Sequence, residues 1–218
     1  MPSATRALQS PSEEVANSLT HALGAALAVA AIPLLVVHAR GAGAVTGAAV
    51  FGASAVLSYL VSTLYHALRE GRAKAVLRWV DHVAIYVFIA GTYTPFTLTV
   101  LHGAWGWSLF GLVWGLALLG LLFKTLGTER FPRLSTWLYL AMGWVALAAI
   151  RPLWLAMPGS AMFWLLAGGA AYSLGVIFFV LDQRLRYAHS VWHLFVLAGS
   201  ACHFFALLDV LDVQALLR

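Results

Sequence analysis

His189 and His193 stand four residues apart, so on a helix both rings lie on one face and can chelate a single metal ion. His66 offers a third nitrogen. Three imidazoles plus a water form a common catalytic zinc arrangement, with the fourth position left open. Asp81 has the chemistry to hold or deprotonate that water. Ser62, one turn before His66 on the same helical face, can donate a hydrogen bond to a carboxylate, a water or a developing oxyanion. Each residue also has a plainer reading. Two histidines at a helix start can be solvated interfacial groups. His66, followed by Arg69, can simply mark where a helix leaves a bilayer. Asp81 can be a first-turn acid favoured by the helix dipole. Whether these residues meet depends on the elements that carry them.

The composition points to a membrane. The 218 residues are 62% hydrophobic and only 10% charged, against roughly 45–50% and about 25% in a typical globular domain. Too few polar groups exist to cover a water-facing surface, so most of it faces lipid. Disorder and nucleic-acid binding are excluded for the same reason: thirteen Lys and Arg and a net charge of +5 form no broad basic face on a mostly buried chain. The lone Cys202 excludes an internal disulfide framework and a cysteine-cluster metal site.

Asp, Glu, Lys and Arg are absent from the runs 15–39, 41–68, 82–123, 134–150, 152–181 and 187–208. A helix crosses the hydrocarbon core with about 20 residues. Five runs therefore read as one span each. The 42 residues of 82–123 read as two, being about 63 Å long as a helix, with Leu101-His102-Gly103-Ala104 as the reversal. The fold class is thus all-α integral membrane, a seven-transmembrane helix bundle forming a single domain over residues 1–218. Residues 1–16 form a short cytoplasmic segment, with Ser10 or Ser12 capping a short helix before a first span near 19–38. No cleavable signal peptide is read. A β-barrel is disfavoured, since its strands would alternate polar and apolar residues.

Ten Lys and Arg fall at one set of helix ends: Arg6; Arg69, Arg72, Lys74 and Arg78; Lys124, Arg130 and Arg133; Arg184 and Arg186. Arg40, Arg151 and Arg218 fall at the other. The positive-inside rule places the N-terminus in the cytoplasm and the C-terminus outside, in the cell membrane. His66 then closes the second span at the cytoplasmic face. Asp81 opens the third there, His189 and His193 the seventh, and Asn17 and His21 the first. Four spans bring polar side chains to one depth, where ionisable groups usually face a bundle interior or a wet cavity.

The remaining candidates rank lower. His203 lies ten residues beyond His193, about 15 Å along the helix, too far to share its ion. His82 points about 100° away from Asp81 and is counted, with Asn17 and His21, among the polar residues near the site. His38 and His102 fall at the outer face. The aromatic residues suit interfacial belts. Gly143, Gly168, Gly169 and Gly175 suit close helix approach. Pro95, Pro152 and Pro158 suit kinks or helix starts.

The motifs Glu14-x-x-Asn17-x-x-Thr20-His21, Ser62-x-x-x-His66, Asp81-His82-Val83-Ala84-Ile85-Tyr86, Gly91-Thr92-Tyr93-Thr94-Pro95 and His189-Ser190-Val191-Trp192-His193, running on to His203-Phe204, together resemble the hemolysin III family. That family belongs with the progestin and adipoQ receptors and so is similar to the adiponectin receptors. The resemblance runs from about residue 13 to residue 208. It implies a seven-helix bundle with zinc near the cytoplasmic face, His66, His189 and His193 as ligands, Asp81 on the water at the metal, and Ser62 as a supporting polar residue.

Three functions remain open. One is a zinc-dependent hydrolase of a lipid amide or ester, with membrane lipids as partners, Asp81 as proton acceptor and Ser62 as helper. The second is a zinc-containing, receptor-like sensor or regulator of membrane lipid homeostasis, in which the ion ties two spans together without chemistry. The third is a hemolysin or pore, which needs a polar path at every depth.

Overall fold

The computed structural model describes residues 9–101, 103–126 and 132–216. Arg6, His102, Arg130 and Arg218, used above for orientation and reversal, lie outside them. Among the described residues eight α-helices run in order: α1 Pro11–His38, α2 Ala42–Ala67, α3 Arg72–Thr99, α4 Gly103–Thr125, α5 Pro132–Trp144, α6 Ile150–Ala156, α7 Gly159–Val180 and α8 Ala188–Leu216. A 3₁₀ segment, Val145–Ala149, joins α5 to α6. There is no strand among the described residues. Seven spans are long and apolar enough to cross a membrane, the fifth being Leu134–Ala156, which takes in most of α5, the 3₁₀ segment and α6. The chain is a multi-pass membrane protein.

The first span differs from expectation. In place of a short helix followed by a span, α1 is one helix of 28 residues starting at Pro11. Ser10 is its N-cap: its hydroxyl accepts from the Glu13 amide, and the Glu13 carboxylate accepts from the Ser10 amide. This capping box satisfies two of the donors a helix start leaves free, and nothing between Ser12 and Leu19 breaks the helix. Asn17, His21, Gly24, Ala28 and Leu35 face the bundle. Val15, Leu19, Leu23 and Leu27 stay exposed on the other side, as a lipid-facing surface requires.

The fifth span also differs. The turn into the next helix comes at Met157-Pro158, six residues beyond Arg151, with Pro158 as the N-cap of α7. Arg151 is exposed, and a long cationic side chain can reach toward the interface from within a span. The run 152–181 therefore belongs to two spans, and Pro152 sits inside α6. Between α5 and α6 the Tyr93 hydroxyl lies 2.9 Å and 2.7 Å from the Met142 and Gly143 carbonyls and accepts from the Ala146 amide at 3.0 Å. Irregular backbone in a bilayer costs several kcal/mol per unsatisfied group, and Tyr93 supplies the missing partners.

The other reversal falls where expected, with α3 ending at Thr99 and α4 opening at Gly103, whose φ of +60° suits glycine. Helix α2 packs along α1 and α3, α3 along α4, and α8 along α1 and α7, while α5 touches its neighbours sparsely. Gly168 and Gly175 lie directly against His203 and Phe195 of α8. A Cβ added at Gly143 would meet nothing within 4 Å, so its missing side chain makes room for no neighbouring helix. Phe51, Tyr59, Phe88, Phe96, Leu207 and Leu211 fill the centre. That leaves the end of the bundle where α1 and α8 begin to collect the polar residues.

Candidate metal centre

Helix direction explains the gathering. His66 is in the last turn of α2, Asp81 is ten residues into α3, and His189 and His193 open α8. These three helix segments meet at one end of the bundle. His66, His189 and His193 each present a nitrogen, and the three atoms all lie within 4.8 Å of one another. Their ring centroids are 5.2 Å (His66–His189), 5.3 Å (His66–His193) and 4.7 Å (His189–His193) apart. Asp81 is not a member of that close group.

The hydrogen bonds divide the two nitrogens of each ring. His66 Nδ1 lies 2.7 Å from Glu14 Oε2. His193 Nδ1 lies 3.0 Å from Thr20 Oγ1 and 3.2 Å from the Asn17 carbonyl. His189 Nδ1 lies 3.3 Å from Asp182 Oδ2. An acceptor beside each Nδ1 assigns the proton there and leaves a lone pair on Nε2. Nε2 of His66 and of His193 are buried and have no hydrogen-bond partner among the described residues. Metal-bound histidines are oriented in this way by a carboxylate or carbonyl on the far nitrogen. The donor set therefore fits a metal ion that prefers imidazole.

Helix α1 contributes no ligand yet orients two of the three. Glu14 is the joint: its other carboxylate oxygen accepts from Lys74 Nζ at 2.7 Å, and the same ammonium reaches the Leu68 carbonyl at 3.1 Å. One carboxylate thus links α1, α2 and α3. Glu14 and Thr20 stand in the sequence motif that opens with Glu14, without a role assigned to either there, and Asp182 is new at the site. Glu14 had a signal, since it shares a helical face with Asn17 and His21 at three- and four-residue spacing. Asp182 had none, lying in the turn before α8. Outer partners of this kind are worth about 10–100-fold in metal affinity. Glu14→Ala is expected to weaken metal binding by that much, with Glu14→Gln losing less; competition with a chelator measures it.

The other candidates take different places. Ser62 is buried, and its hydroxyl lies near the Asp81 carboxyl. Asn17 is buried, accepts from Ser190 Oγ at 2.5 Å and donates to Gln9 at 2.7 Å, tying α8 and the chain's start to α1. His21 stacks on His193. His82 turns its Nδ1 to the Arg78 carbonyl, 2.6 Å away, and stays outside the ligand group. His203 Nε2 donates to the Leu165 carbonyl at 3.3 Å, deep in the bundle. His38 lies at the opposite end, beside Asp212.

Two cavities meet at Asp81. One is polar, lined by Glu14, Glu70, Lys74, Arg78, Asp182 and His189, and opens at the end of the bundle. The other is apolar and runs between α3, the fifth span, α7 and α8, past Ile85, Val176 and Val196 to Phe96 and Leu153. Asp81 and Phe96 are fifteen residues apart, so this cavity extends about 22 Å along α3. The arrangement sets three converging histidines and a carboxylate between a polar mouth and an apolar channel.

A family profile described as "Haemolysin-III related" matches residues 9–204. The chain is 45% identical to "Hemolysin-3" of Bacillus cereus, over 94% of each chain. It is 43% identical to "Hemolysin-3 homolog" of Bacillus subtilis (strain 168), over 90% of this chain and 93% of that one. A more distant relative is "Monocyte to macrophage differentiation factor" of Homo sapiens, at 28% over 89% and 83% of the two chains. With the profile covering nearly the whole bundle and the three histidines inside it, the chain belongs to the haemolysin III-related family of membrane proteins.

Proposed function

We propose that this protein is a zinc-dependent hydrolase of a lipid amide or ester, working near the cytoplasmic face of the inner membrane. The carrying observation is Asp81: it stands where the polar mouth and the apolar channel meet, beside three converging histidines. Zinc held by His66, His189 and His193 would lower the pKa of a water and polarise a carbonyl. Asp81 accepts the proton of the attacking water. Ser62, whose hydroxyl lies near that carboxyl, donates the hydrogen bond that holds it in place. As the C–N or C–O bond breaks, Asp81 returns that proton to the leaving group. The apolar channel receives the acyl chain, and the polar mouth admits water.

Metal content of the purified protein, together with product analysis after adding N-acyl and O-acyl lipids, tests this reading. About one zinc per chain and a released fatty acid are expected. A metal-free protein, or zinc with no product from any such lipid, counts against it. The alternative of a zinc-containing lipid sensor draws support from the ligands' placement, since an ion there would join α2 to α8. A pore, suggested by the relatives' printed name, fits poorly with a channel lined by Ile85, Phe96 and Leu153.

The cytoplasmic N-terminus is part of the proposal. Seven spans put the termini on opposite faces, and the Lys and Arg count favours the N-terminal side as cytoplasmic. A reporter fused after Arg218 should be active only outside the cytoplasm; activity inside would place the metal centre at the wrong face.

A further inference from the structure

His21 is 4% exposed, and neither of its ring nitrogens has a hydrogen-bond partner among the described residues. A neutral imidazole carries one N–H and one lone pair, and burying both unpaired in a membrane bundle is costly. The ring is locked in place. It stacks face to face on His193, with centroids 3.4 Å apart and planes 10° from parallel, and meets the edge of Tyr59 at 5.1 Å. It lies outside the group of three converging nitrogens, so it is not a fourth ligand to the same ion. It does line the apolar channel, together with Asp81 and Trp192.

We infer that the His21 N–H hydrogen-bonds the scissile carbonyl of an acyl lipid held in the apolar channel, an inference that rests on the hydrolase reading. The hydrocarbon part of such a lipid offers nothing to an imidazole. Its amide or ester carbonyl is an acceptor, and attack at that carbon must take place beside Asp81 and the ligand ring on which His21 is stacked. The donor then strengthens as the carbonyl oxygen gains negative charge. His21 contributes no proton to the balance, which runs through Asp81 alone.

Two probes separate this from a packing role, both measured on zinc-loaded protein. Palmitoyl hydroxamate carries a carbonyl and a zinc-binding head on an acyl chain. Hexadecanethiol binds zinc and fills the channel but has no carbonyl. His21→Phe keeps an aromatic ring against His193 and removes the N–H. It should retain zinc, weaken the hydroxamate by about tenfold, the worth of one hydrogen bond, and leave the thiol unchanged. His21→Gln or His21→Asn, which restore a donor, should recover part of the loss. Equal weakening of both probes, or of neither, overturns the inference while leaving the hydrolase reading intact. Failure of both probes to bind the unaltered zinc-loaded protein overturns the two together.

Discussion

Asp81→Asn should leave zinc content near that of the unaltered protein and cut lipid turnover by about 10²–10⁴, the usual worth of general acid–base help. The three histidines that converge within 4.8 Å do not include Asp81, so the ligand set survives the change. The amide keeps the shape of the carboxylate and can still meet Ser62, but it cannot take a proton from water. A non-catalytic site gives a different result. If the ion only ties α2 to α8, the substitution alters stability slightly and every phenotype follows metal content. Zinc content, thermal stability and product formation, measured on one preparation, decide the matter. Full turnover by a zinc-replete Asp81→Asn protein would sink the hydrolase.

His193→Ala should lose nearly all the metal, whereas His203→Ala should keep it. The two residues sit on one helix, ten positions apart, and both are held by hydrogen bonds. Only His193 converges with two other histidines, and its Nε2 is buried without a partner among the described residues; His203 spends its Nε2 on the Leu165 carbonyl. Removing one of three protein ligands leaves two imidazoles, from α2 and the first turn of α8, which cannot complete a tetrahedral site. The stacked partner His21 also loses its support, so some destabilisation accompanies the loss. Elemental analysis of both variants is the check. Equal zinc in the two would mean that the pair at the start of α8 is not a chelating pair.

The seven spans and the common depth of Asn17, His66, Asp81 and His193 were legible in the sequence. In lipid every helix must cross a fixed thickness with its backbone bonds made internally, so charge-free length alone counts the crossings. Depth then follows from position along each span. The spacing of His189 and His193 put them on one face for the same local reason. Local breaks were less legible. Arg151 read as a boundary, but the fifth span runs past it because Tyr93 satisfies the 3₁₀ backbone from another helix.

Which helices touch was a matter for the tertiary structure. A side chain that faces lipid and one that faces a neighbouring helix are equally apolar, so hydropathy does not distinguish them; α4 and α7 are apolar on every side. Gly143 and Gly175 looked alike in sequence, yet only at Gly175 would an added Cβ run into a neighbouring helix. Glu14 and His66 are 52 residues apart, and His21 and His193 are further apart still. Only packing of α1 against both α2 and α8 brings an acid to His66 and a stacked ring to His193. The sequence thus named the three histidines that converge, whose spacing and depth are local properties, while the partners that orient them depend on which helix faces pack together.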